Sequence, residues 1–294
     1  MTSLRAGALA LAMATAASLT GGTVARAQAP ALAEPQGTHA ALPGRRLWYV
    51  DTGGTGTPVV LLHAASGSSA LWERQVSALR AAGYRVIAYD RIGWGRSELD
   101  AGAEPGSASD DLHALVTLLR LERFHLVGTA AGAIVAIDYT LSHPERLRSV
   151  TAANTVGGVQ DADYLALSRR LRPSPQFDAL PVDVRELGPS YRATNPDGTA
   201  RWLALSQQSR SARPLPSPQT PRNRVTWERL ESIRVPVLLV TGGADLYAPP
   251  PVLRLFAARI KGAETFVVPE AGHSVFWEET DLFNRTLLAF LARY

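Results

Sequence analysis

The stretch His125-Leu126-Val127-Gly128-Thr129-Ala130-Ala131-Gly132-Ala133-Ile134-Val135 constrains the fold of this chain more than any other. A short apolar run, the pattern of a strand covered on both faces, meets a helical pattern across a turn with a glycine at each end. Gly128 and Gly132 allow strand and helix to pass close together. The residue between them, Ala130, is thereby held at the apex of a sharp bend, in a backbone conformation that exposes its Cβ.

Segments of the same two kinds alternate on either side. Residues 46–50, 58–62, 86–90, 149–154, 235–240 and 265–268 read as strands. Leu71, Trp72, Val76 and Leu79 recur at helical spacing until Gly83, a helix is expected over 109–121 and another over 250–260, and Phe283, Leu287, Phe290 and Leu291 face inward from a long final helix. The alternation carries no repeat at solenoid periods and predicts a doubly wound, mostly parallel α/β sheet. Residues 157–230 interrupt it. They are rich in Pro, Arg, Ser and Gln, with helical pieces near 161–171 and 198–208. This segment reads as a helical cap inserted into a core formed by 44–156 and 231–294.

Composition narrows the function classes. At 294 residues and 46% hydrophobic content the chain can bury a large core. Cysteine is absent, so disulfides and thiolate metal sites are excluded, and no metal-ligand spacing appears. The net charge of +4 comes almost wholly from arginines scattered among acids, with Lys261 the only lysine, so no nucleic-acid partner is expected. Gly93-Trp94-Gly95 follows a strand, but Glu98 stands where a dinucleotide fingerprint needs its third glycine, and no cofactor is expected. Residues 1–29 read as a secretory leader. Arg5 opens it, an apolar run covers 8–19, and Ala25-Arg26-Ala27 and Ala27-Gln28-Ala29 are small-x-small cleavage sites. The run is too short to span a bilayer, so an exported protein, periplasmic or secreted, is expected. Residues 30–43, rich in Ala and Pro, read as a linker.

In a sheet of this kind ligands bind at the carboxyl ends of the strands. Four segments end there with distinctive residues: the loop His63-Ala64-Ala65-Ser66, the glycine-flanked turn, Gly243-Ala244-Asp245, and Ala271-Gly272-His273. The turn has the layout of a nucleophile elbow, Gly-x-nucleophile-x-Gly, and the order elbow, acid, histidine is that of serine hydrolases built on such a sheet. With these motifs and the Asp90–Ser97 turn, the chain resembles the α/β-hydrolase superfamily over residues 44–294. Within it, the chain resembles the capped branch of esterases, C–C hydrolases and haloperoxidase-like proteins.

The resemblance implies roles by position. His273 would be the general base, Asp245 would hold its imidazole, and the backbone N–H groups of Ala65 and Ala131 would form an oxyanion hole. It also marks two departures. The family commonly has His-Gly where this chain has His63-Ala64, and the nucleophile position is Ala130, which has no hydroxyl. Ser66, Ser68 and Ser69 lie on a loop without the elbow's aim, and the Thr129 side chain should point away from the pocket. Three readings of Ala130 follow. It is an introduced Ser-to-Ala change in an esterase-like enzyme, or a natural residue in a His/Asp-dependent non-covalent enzyme, or the mark of a non-catalytic small-molecule binding protein. Trp94, Tyr164, Tyr191, Trp202 and Trp277 are candidates for the lining of a pocket that takes an apolar or aromatic small molecule.

Overall fold

The computed structural model describes residues 36–211 and 213–294, so the expected leader at 1–29 lies outside the described residues. Nine strands form one sheet: β1 (Gly37–Leu42), β2 (Arg45–Asp51), β3 (Pro58–Leu62), β4 (Arg85–Tyr89), β5 (Glu98–Leu99), β6 (Phe124–Thr129), β7 (Leu147–Ala153), β8 (Val237–Gly242) and β9 (Glu264–Val268). Their order is β1-β2-β4-β3-β6-β7-β8-β9, with β5 on the side of β2. Every pairing from β4 to β9 is parallel, while β1, β2 and β5 add antiparallel edges. The doubly wound, mostly parallel sheet is therefore as expected.

Eleven α-helices are described: α1 (Glu73–Ala81), α2 (Ala108–Leu118), α3 (Ala131–Ser142), α4 (Ala162–Leu171), α5 (Val182–Glu186), α6 (Pro189–Thr194), α7 (Pro196–Gln208), α8 (Trp227–Glu231), α9 (Pro250–Ala257), α10 (Val275–Glu278) and α11 (Thr280–Leu291). Side chains alternate across each strand, so the sheet feeds two cores. Leu126, Val150 and Leu239 join Leu112 of α2, Ile137 of α3 and Phe256 of α9 on one face. Val127, Leu238 and Val240 join Leu79 of α1 and Phe283, Leu287 and Phe290 of α11 on the other. Helices α4 to α8 all fall between β7 and β8, in the segment that breaks the alternation.

One expectation fails here. Residues 37–42 of the expected linker form β1, paired with β2 in register Ala40↔Leu47, and both of those side chains are buried. Pro43-Gly44 closes the hairpin, with Gly44 at φ +73°, so a short turn signal had joined two strands.

The order of strands reverses between β3 and β6, whose neighbours were built in opposite directions from that point. A crevice therefore opens at their carboxyl ends, and the His63 loop and the glycine-flanked turn lie on its two sides.

Candidate active site

The turn after β6 has the expected strain. Ala130 sits at φ +50°, ψ −115°, a region costly for any residue with a Cβ, by about 1–3 kcal/mol. Its N–H donates to the carbonyl of Ala153 at 2.9 Å, tying the apex to the end of β7. Both glycines are required by contact. A Cβ on Gly128 would lie 2.5 Å from the Gly132 carbonyl oxygen, and one on Gly132 would lie 2.2 Å from the Leu62 oxygen. The strained apex is thus imposed by three backbones that touch, and the side chain it presents is a methyl group.

His273 and Asp245 come together as expected. The His273 ring nitrogen Nδ1 lies 2.9 Å from each Asp245 carboxylate oxygen, and both residues are buried. The carboxylate is held on every side: backbone N–H groups of Tyr247 and Ala248 donate to Oδ1, and Asn154 Nδ2 and the Thr241 hydroxyl donate to Oδ2. Burial alone would raise the Asp245 pKa, but the His273 ring and these donors outweigh it and hold it below the ordinary value. Burial alone would likewise lower the His273 pKa. The Asp245 charge and hydrogen bond, with the Glu186 charge behind them, push it above the ordinary value instead. With Nδ1 committed to Asp245, Nε2 is the nitrogen left for chemistry.

On the other side of the crevice His63 braces the loop after β3. Its Nδ1–H donates to the Ala64 carbonyl at 2.7 Å, and its Nε2 accepts from the Arg91 N–H at 3.0 Å. Burial and the Arg91 guanidinium hold it well below its ordinary pKa, which fixes this neutral tautomer. Trp94 Nε1 donates to the Ala65 carbonyl at 2.7 Å and so anchors the exposed Ala65. Ala131, half-buried, opens α3 directly after the apex, where helix N–H groups are free to face a developing anion. The Thr129 side chain is fully buried, so it is no substitute nucleophile.

Of the five aromatic candidates, Trp94 lines a cavity shared with Ala131. Tyr164 is packed edge-on against Trp227 and Phe256 in the first core. Trp202 and Trp277 are buried in the second, and the half-buried Tyr191 packs against it. Trp277 Nε1 also donates to the Gly198 carbonyl of α7. An aromatic ring stabilises most where it buries its whole area, and Tyr164, Trp202 and Trp277 do so.

Three participants carried no readable signal. Asn154, at φ +51° beyond β7, bridges Asp245 and the Gly272 carbonyl. Glu278 accepts from the N–H groups of Gly272, Ser274 and Gly188, clamping the His273 loop to the segment between α5 and α6; burial, against those donors, raises its pKa to about 7. Glu186, at the end of α5, is 6% exposed, and its Oε2 has no hydrogen-bond partner. Burial raises its pKa, opposed by the nearby His273 ring and Ser66 hydroxyl. A Cβ on Gly272 would touch the backbone of residues 186–188, so α5 is seated directly on the His273 loop.

Among the described residues no cluster of His, Asp or Glu could hold a metal ion, and no helix is long and apolar enough to cross a membrane.

The arrangement can be compared with known proteins. A sequence profile described as "alpha/beta hydrolase fold" matches residues 57–280. A 2-hydroxy-6-oxononadienedioate/2-hydroxy-6-oxononatrienedioate hydrolase of Klebsiella pneumoniae is 31% identical over 272 residues, covering 84% of this chain and 91% of its own. Among solved structures, a thermophilic esterase from Thermogutta terrifontis superposes with a TM-score of 0.72 at 26% identity, covering 88% of this chain and 98% of its own. The enol-lactonase from Burkholderia xenovorans LB400 does so with a TM-score of 0.68 at 25% identity, covering 87% and 100%. A profile that spans most of the chain, and relatives named as a hydrolase, an esterase and an enol-lactonase, agree with the strand order and the strained turn: this chain belongs to the alpha/beta hydrolase fold family.

Proposed function

We propose that the chain is an exported hydrolase of small ester or lactone substrates that works without a covalent intermediate, with His273 activating water and Asp245 holding the imidazole. The observation that carries this reading is the fully built His273–Asp245 pair at the same sheet edge as a strained elbow whose apex, Ala130, has nothing to attack with. Keeping such a pair buried, with four further donors on the carboxylate, stabilises an imidazolium, which is what a general base becomes.

His273 Nε2 takes a proton from water. The hydroxide oxygen bonds to the substrate carbonyl carbon, and the carbonyl oxygen becomes an oxyanion facing the N–H groups of Ala131 and Ala65. Collapse of the tetrahedral species breaks the bond to the leaving oxygen, which takes the proton from His273. Backbone donors do not depend on side chains, so this half of the machinery is independent of the missing hydroxyl. Helices α4 to α8 act as a cap over the crevice, a reading supported by the seating of α5 on the His273 loop. Residues 1–29 act as the export leader.

The test uses the whole chain against a panel of esters, lactones and thioesters, with fluorophosphonate labelling alongside. The expected result is slow turnover without labelling, lost in His273→Ala by about 10²- to 10⁴-fold, and both labelling and faster turnover in Ala130→Ser. Ligand binding without any turnover, unchanged in His273→Ala, would establish a binding protein and overturn the proposal.

A further inference from the structure

Arg91 follows β4 on the His63 side of the crevice, and its position is unusual for an arginine. It is only 6% exposed, and its Nε and Nη2 are buried with no hydrogen-bond partner. Among the described residues no carboxylate lies in ion-pair reach of it; the ring of Trp94 lies 4.3 Å from the guanidinium carbon. A buried cation without a counter-charge costs several kcal/mol, and a ring face offsets only part of that. Guanidinium groups cannot escape by losing the proton at physiological pH. Even with burial pulling its pKa down to about 10, Arg91 stays charged.

The same side chain lines a cavity of about 210 Å³. Ala131, Trp94, Ile134 and Leu215 share the lining, so the cavity borders the proposed oxyanion donor and has apolar walls. Asp138 also borders it, but its two carboxylate oxygens are taken by the backbone N–H groups of Arg222 and Asn223 and by the Asn223 side chain. Asp138 is thus held by donors of its own, whereas the Arg91 Nε and Nη2 have no acceptor.

We infer that this cavity is an anion subsite, in which Arg91 pairs with a carboxylate carried on a short apolar arm of the substrate. Arg91 borders the cavity, a guanidinium N–H gives a carboxylate a charge-assisted hydrogen bond, and the apolar walls match a hydrocarbon arm. The volume equals that of about seven waters, which limits the arm to a few carbons. The placement of the arm beside a reacting carbonyl rests on the water-activating reading above. The anion subsite itself does not need turnover.

The test is therefore a binding measurement, calorimetry of the whole chain with hexanoate and with hexanamide, which share an arm and differ in charge. Hexanoate is expected to bind at least tenfold tighter than hexanamide, the size of one charge-assisted hydrogen bond or more. Arg91→Gln should erase that preference, and Arg91→Lys should keep part of it. Since Arg91→Gln removes an unpaired buried charge, its melting temperature without ligand should equal or exceed that of the unaltered chain. Equal binding of the two probes, a preference untouched in Arg91→Gln, or a strongly destabilised Arg91→Gln would each overturn the inference. Hexanoate binding is also read in His273→Ala. If binding persists there while turnover was never present, the anion subsite stands and the hydrolase reading falls. If turnover is real but the preference is absent, the reverse holds.

Discussion

His63 and His273 are both buried at the carboxyl edge of the sheet, one beyond β3 and the other beyond β9, yet the protein drives them in opposite directions. Burial lowers the pKa of each. At His63 the neighbouring charge is the Arg91 guanidinium, which lowers it further; at His273 the Asp245 carboxylate, with Glu186 beyond it, reverses the sign. Loss of water makes both rings sensitive, and the charge of the neighbour decides which form wins. One side of the crevice consequently carries the Arg91 charge and a histidine held toward its neutral form, suited to bracing a loop. The other is anionic with a histidine that welcomes a proton, suited to catalysis.

The largest effect should come from breaking the anionic side. Asp245→Asn keeps the shape but cannot hold the same tautomer or stabilise imidazolium. Turnover should fall by about 10²- to 10⁴-fold, with an unchanged circular dichroism spectrum as the check on folding. An unaltered rate would mean that the pairing at 2.9 Å serves structure only.

A smaller effect separates the two histidines by pH. His63 has a folded-state pKa below its unfolded value of about 6.5, so its contribution is complete above that pH and is lost as pH falls toward the folded value. For His273 the folded value is the higher one. Its contribution is present below pH 6.5 and is lost as pH rises through the folded pKa. Urea unfolding as a function of pH should therefore show His63→Gln flattening the acid side alone. The change should be about 1 kcal/mol for each pH unit over which only the unfolded chain binds the proton. Flattening on the alkaline side would contradict the assignment.

The two sides also differ in how far they could be read from the chain. Gly128, Gly132, Asp245 and His273 were legible because each owes its place to local backbone: a close approach that only glycine permits, or the first residues past a strand end. The centre of the sheet was legible for the same reason, since β3, β4, β6, β7 and β8 are short runs buried on both faces. Glu186, Glu278 and Asn154 were not, because nothing near them in the chain says what they meet. Glu186 joins His273 only after α5 folds back 87 residues before it in sequence. For Tyr164, Trp202 and Trp277 the chain does not say where the ring goes, and each is buried in a core, where its area stabilises most. The hairpin strand β1 was hidden by an Ala- and Pro-rich composition, although Pro43-Gly44 marked its turn.

The finest test of the comparison concerns Glu186, which strengthens the anionic side without touching Asp245. Its charge is one of the influences that raise the His273 pKa, and its unpartnered oxygen is free of other duties. Glu186→Gln removes the charge at nearly constant volume. A general base acts in its neutral form, so turnover rises as pH climbs through the His273 pKa. With the carboxylate gone, imidazolium is less favoured and that rise should move to lower pH, while the rate on the alkaline plateau stays within a few fold. NMR titration of the His273 ring should show the same displacement in the absence of substrate. A structural role for Glu186 would lower the plateau and leave the midpoint where it was, because packing acts on the amount of active fold and a charge acts on the proton.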